Sequence, residues 1–168
     1  MRWILKTSIL TTNGQKWLLL VVVVQIVIVA VLIASKETLL RTGQTVKLEL
    51  APLDPRSLMQ GDYVRLNYKI SQLPPEVGLG DSHRVQLILH PDENGIFQFK
   101  EIYRKSKILA PDEVVITGRP AGDQNQLHFG IESYFVPEGT GIEVERSAKY
   151  GIVKVNKKGD AMLISLSP

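Results

Sequence analysis

The chain divides by pattern into one long apolar run and a series of short alternating segments. Trp17 to Ala34 reads WLLLVVVVQIVIVAVLIA, in which Gln25 alone is polar. As a helix at ~1.5 Å per residue this run spans about 27 Å, close to the ~30 Å hydrocarbon thickness of a bilayer. In lipid a lone segment can satisfy its own backbone only as a helix, so a transmembrane helix is predicted over 17–34. After a polar linker (35–45) the period changes to two. Val46, Leu48 and Leu50 alternate with Lys47 and Glu49; across Asp62 to Ile70, Val64, Leu66, Tyr68 and Ile70 alternate with Tyr63, Arg65, Asn67 and Lys69. Successive side chains of a strand point to opposite faces, so both stretches read as strands with one buried face.

Further strands are predicted at 85–89, at 97–103 with Phe97, Phe99, Glu101 and Tyr103 on one side, and at 114–118, 127–136, 151–155 and 161–166. Asp92-Glu93-Asn94-Gly95 reads as a hairpin turn, and Asn156 to Asp160 joins the last two strands. Pro137 to Gly141 breaks the pattern, and Ile142 to Lys149 reads as a short helix in preference to an irregular strand. About eight short strands separated by Gly, Pro and Asp turns predict a mainly β fold: one sandwich- or barrel-like antiparallel β domain over 46–168, behind the N-terminal helix.

Charge sets the expected orientation. Arg2, Lys6 and Lys16 precede the apolar run, and Lys36 and Arg41 follow it. The basic excess before the helix favours a cytoplasmic tail over 1–16 and an extracytoplasmic domain. A cleaved signal peptide fits less well. The run exceeds the usual length of about 7–15 residues, and a cut after Ala34 would leave Leu32 where a small residue is needed. An uncleaved signal anchor is therefore expected. The formal charge of +3 belongs to this leader: no acid precedes Glu37, so the rest of the chain holds all 17 acids against 16 of the 20 Lys and Arg. That balance argues against a nucleic-acid partner. With no cysteine in the chain, disulfides, thiolate metal sites and a cysteine nucleophile are excluded.

One stretch carries a signature. Residues 61–68 read Gly-Asp-Tyr-Val-Arg-Leu-Asn-Tyr, matching GDYxxLxY at every fixed position, with Asp54-Pro55-Arg56-Ser57-Leu58 before it and Phe135-Val136-Pro137-Glu138-Gly139 well after it. The chain resembles the GDYXXLXY family of membrane-anchored bacterial proteins over roughly residues 46 to 168. The resemblance implies an anchored domain with no assigned activity. Through the genes that tend to lie beside the family's own, it also implies a membrane-protein partner besides the bilayer. Read physically, Pro55 and Gly61 shape a corner, Asp62 can accept amide hydrogen bonds, and Leu66 and Tyr68 pack on the core. A functional reading groups Asp54, Arg56, Asp62 and Tyr63 as a polar cluster for a ligand or partner, with Tyr63 and Arg65 sharing the outward face.

Catalytic sets do not assemble. Leu58-x-x-Gly61-Asp62-x-Val64 is similar to a stretch in type I signal peptidases, with weaker echoes at Arg119 to Asp123 and Val136 to Gly139. The position expected for that family's nucleophile is Leu53, Ser57 lies too close to Gly61, and Lys105 or Lys107 as base has no partner to activate. Any likeness is therefore of fold. His83, His90 and His128 lack metal-ligand spacing, Asp92 to Asn94 lacks the rest of a calcium loop, and Glu138, Glu143 and Glu145 read as a solvated face. Lys154, Lys157 and Lys158 form a small basic group at a hairpin. No cofactor is expected. The leading expectation is a non-enzymatic binding or assembly module for another envelope membrane protein. An envelope hydrolase related to signal peptidases and a small-ligand sensor are the alternatives.

Overall fold

The computed structural model describes residues 13–51, 63–77, 82–104, 107–121, 125–137, 143–144 and 147–168. The chain forms two units, 1–38 and 39–168. The first is carried by helix α1 (Asn13–Thr42), whose residues from Trp17 to Ile33 are exposed. By length and composition α1 can cross a membrane. It runs on through residues 35–42, where an irregular linker was expected; Ser35 and Thr38 turn their hydroxyls back onto the carbonyls of Leu32 and Ala34.

The second unit is built on a curled seven-stranded sheet, a half-barrel, so the barrel-like β domain read from the alternation is present. Its strands are β1 (Gln44–Glu49), β3 (Val85–Pro91), β4 (Ile96–Ile102), β5 (Val114–Pro120), β6 (Leu127–His128), β8 (Tyr150–Val155) and β9 (Ala161–Ser167), in the order β6-β5-β3-β4-β1-β8-β9. A separate ribbon pairs β2 (Tyr63–Arg65) with β7 (Ser133–Phe135). Among the described residues the pairings are antiparallel except one: β1 lies parallel to β4, with Leu48 beside Phe97, while its other edge pairs antiparallel with β8. A local pattern carries no sign of that parallel pair, because β2 and β3 lie between its two strands in the chain.

The core lies inside the curl. Val46 and Leu48 of β1, Leu87 and Leu89 of β3, Val114 and Ile116 of β5 and Val153 and Val155 of β8 meet Leu66, Tyr68 and Ile70 there. Two bulges adjust the pattern. In β4 Lys100 is extra, since Ile88 pairs with Glu101 and Leu89 with Phe99. The side therefore switches, and Ile102 rather than Glu101 follows Phe99 towards the core. In β9 Ile164 is the extra residue, so Leu163 and Leu166 both pack inward. A bulge inserts one unpaired residue and shifts the alternation past it, which a strict period of two does not anticipate.

The curl closes back on itself at one end. The turn between β8 and β9 reaches β5: Thr117 N–H donates to the Gly159 carbonyl at 2.9 Å, and the Thr117 hydroxyl and Gln86 Nε2 each donate to the Lys158 carbonyl at 3.3 Å. Gly159 sits at φ +88°, and a Cβ there would lie 2.4 Å from Thr117 Oγ1, so no other residue fits this turn without movement.

Other expectations meet local corrections. The strand expected over 62–70 is a true ladder only at β2. The one expected over 127–136 divides into β6 and β7 at Gly130, whose φ of +79° leaves the extended region. β5 continues past Gly118 to Pro120, which pairs with Leu127. The short helix expected behind Gly141 is present where described: Glu143, Val144 and Ser147 are helical, and Ala148 N–H donates to the Val144 carbonyl at 2.9 Å.

Candidate functional site

The signature segment changes partners along its length. Tyr63, Val64 and Arg65 pair with Phe135, Tyr134 and Ser133, and Leu66 N–H then donates to the Glu132 carbonyl at 2.7 Å. Next the segment turns to the end of β1: the Asn67 carbonyl accepts Ala51 N–H at 2.7 Å, and Tyr68 bridges Leu50. A turn of 3₁₀ helix (Lys69–Ser71) ends it, with Lys69 Nζ 2.6 Å from Glu49 Oε1 on the surface. Alternation survives the exchange of partners, because Val64, Leu66, Tyr68 and Ile70 are all buried while Arg65 and Lys69 are exposed.

Tyr68 is the centre of this corner. Its ring is 0% exposed and its hydroxyl donates to the Ile131 carbonyl at 2.9 Å. Burial, and then the negative charge of Glu132, push its hydroxyl well above the ordinary phenol range, so it stays a donor. Gly151 of β8 makes room for the ring: a Cβ there would lie 3.0 Å from Tyr68 Cε1. Glu132 holds the other side of the corner. Its carboxylate accepts the N–H groups of Phe129 and, at 2.9 Å, Gly130, while its carbonyl takes Leu66. The end of the signature thus ties three parts of the chain together: the end of β1, β8 and the link between β6 and β7.

The comparisons with known proteins decide the family. The family model described as GDYXXLXY protein matches residues 25–166, most of the chain. The chain belongs to the GDYXXLXY family. Neither the comparison with curated proteins nor that with solved structures found a match.

Within the GDYXXLXY signature, the described core-facing positions are structural. Leu66 and Tyr68 pack in the core as their alternation predicted. Asp54, Arg56, Gly61 and Asp62 lie outside the described residues, as do Leu53, Ser57 and Lys105. Tyr63 is placed by its backbone, opposite Phe135. Arg65 is exposed on the ribbon, and Phe135 is 79% exposed. Phe135, Glu132 and Gly151 were not among the residues singled out from the sequence. Phe135 stood in the later family motif and was readable there; Glu132 and Gly151 act through contacts distant in sequence and carried no local signal.

Other groups weighed for chemistry are engaged with the fold. Lys107 pairs with Glu101, and His90 Nδ1 lies 3.1 Å from Asp112 Oδ2. Lys154 donates to the Gly43 carbonyl at 3.0 Å. Asp92 forms the hairpin turn expected of it. Its Oδ1 accepts Asn94 and Ile96 N–H at 2.9 Å, and its carboxyl is held below the usual range by the Ile96 N–H above all. Among the described residues no three His, Asp or Glu groups converge as metal ligands.

Proposed function

We propose that this protein is a membrane-anchored binding module: α1 holds the β domain on the extracytoplasmic side of the inner membrane, where the domain engages another envelope membrane protein. The observation that carries this reading is the division of labour around the GDYXXLXY corner. Leu66 and Tyr68 are buried in the fold, while the ribbon they support carries an exposed aromatic, Phe135, and an exposed Arg65. Aromatic and arginine side chains dominate the energetics of protein interfaces, because one residue combines a large contact area with directed hydrogen bonds. A backbone paired in a ribbon presents such side chains at a lower ordering cost than a free loop would. The basic excess ahead of the apolar run, at Arg2, Lys6 and Lys16, supports a cytoplasmic N-terminus.

The test is site-specific crosslinking in native membranes. A photoreactive side chain at Ser133, on the same ribbon, should capture one discrete membrane protein. Arg65→Ala combined with Phe135→Ala should abolish that product in a chain that still unfolds cooperatively. Persistence of the product in the double variant would move the surface elsewhere, and no stoichiometric product from a folded chain would defeat the binding reading.

A further inference from the structure

A second exposed feature lies on the loop between β4 and β5. Ile108 is 92% exposed and Leu109 beside it 37%, whereas the apolar residues of the flanking strands are mostly buried. Scattered exposed apolar residues are ordinary on a protein surface. These two differ in being held out by a built support. Pro111 occupies the second position of a turn in which Glu113 N–H donates to the Ala110 carbonyl at 3.1 Å. The Glu113 carboxylate is 2% exposed; it accepts Ala110 N–H at 2.9 Å and the Lys100 ammonium at 2.6 Å. Lys100 is the bulged residue of β4, so the bulge delivers the cation to the loop's base. On the other side Lys107 N–H donates to the Arg104 carbonyl at 2.8 Å, and the Lys107 ammonium pairs with Glu101.

The charge around the tip is sorted. Two nearby carboxylates are matched in charge, Glu113 by Lys100 and Glu101 by Lys107, and Asp112 Oδ2 lies 3.1 Å from His90 Nδ1. Arg104 is exposed. An exposed cation on the same loop as a projecting aliphatic pair is complementary to a bilayer interface, where phosphate groups overlie acyl chains. A water-facing surface gains nothing from two aliphatic side chains held away from the core. The same chain carries a helix able to cross a membrane.

We infer that Arg104, Ile108 and Leu109, between β4 and β5, form a second membrane contact, in which Ile108 and Leu109 enter the interface of an anionic bilayer and Arg104 meets its phosphates. The inference rests on the anchored reading of α1, and the test separates the two. Because the chain has no cysteine, single cysteines can be placed cleanly in the full protein and labelled with a polarity-sensitive fluorophore. The positions are Ile108→Cys, Val27→Cys in α1, and Ile164→Cys on β9 as an exposed control. The labelled proteins are reconstituted in vesicles of phosphatidylcholine, with or without phosphatidylglycerol, containing spin-labelled lipid. The label at 108 should be quenched several-fold more than that at 164, and less so when phosphatidylglycerol is omitted. Quenching at 27 without quenching at 108 overturns the loop contact and leaves the anchor standing. A label at 108 that is shielded from water but not quenched by lipid also overturns it, in favour of a second copy of the chain. Quenching at neither 27 nor 108 overturns both readings.

Discussion

The GDYXXLXY corner and the β4–β5 loop are built with the same device and used in opposite ways. In each a glutamate collects backbone N–H groups: Glu132 those of Phe129 and Gly130, Glu113 that of Ala110. At the corner the fixed backbone directs a tyrosine inward until nothing of it is exposed; at the loop it directs an isoleucine outward until almost nothing is covered. A pinned turn therefore fixes where the chain goes, and the neighbouring side chains decide whether the position serves the fold or a partner. A motif's most recognisable residue can be the one furthest from any partner.

The largest effect that would test this contrast is at Tyr68. Tyr68→Ala should lower the unfolding free energy of the full chain by about 3–5 kcal/mol, the usual cost of removing a buried aromatic ring. Urea unfolding should be followed by near-ultraviolet circular dichroism of tyrosine, since both tryptophans, Trp3 and Trp17, precede the β domain. Gly151→Ala should cost about 1–3 kcal/mol by crowding the same ring, and most of that penalty should disappear in a Tyr68→Ala background. Additive losses would show that the ring is not what Gly151 accommodates. Tyr68→Phe leaves the packing and removes the hydrogen bond to Ile131, for an expected loss of about 1 kcal/mol.

The loop side predicts smaller and more local changes. Glu113 is held below the ordinary glutamate value of 4.5, first by its hydrogen bond from Lys100 and then by Ala110 N–H. A depressed folded value means that its contribution is complete at neutral pH and is lost as pH falls below that ordinary value and through the folded one. Protection of the Ala110 amide from hydrogen exchange, corrected for the intrinsic rate, should therefore decline with acid in the native chain. In Glu113→Gln it should be low throughout and show no such step; an acid step retained in that variant would assign the titration to another group. Ile108→Ser should change global stability by no more than about 0.5 kcal/mol. A clearly larger loss would mean that the side chain is packed in solution and not presented.

Much of this architecture was legible because a strand's alternation records which side chains are buried. It does not record which strand supplies the hydrogen bonds. That is why Val64 to Ile70 kept its predicted inner face while its ladder was divided between β7 and the end of β1. The bulges at Lys100 and Ile164 were illegible for a related reason: a single extra residue reverses the faces beyond it, and nothing in the local composition announces it. At the site, the apolar positions Leu66 and Tyr68 were readable from spacing and the aromatic at 135 from its motif. Glu132 and Gly151 acquire their roles only from the partners that tertiary structure brings to them. The helix exceeded its apolar run because Ser35 to Thr42 contains no residue that breaks a helix.

The placement of β1 also constrains when the domain can form. It is the first strand of the domain to be synthesised, yet it sits between β4 and β8, with Gln44 opposite Val155. The local three-stranded unit β5-β3-β4 can assemble as soon as residue 120 has emerged, since its pairings close short loops quickly. The sheet itself cannot be completed until β8 arrives at the far end of the chain. During synthesis at roughly 5–20 residues per second, β1 spends several seconds without its antiparallel neighbour. A nascent chain stalled or truncated before residue 150 would thus present an open strand to any chaperone, protease or neighbouring chain that reached it first.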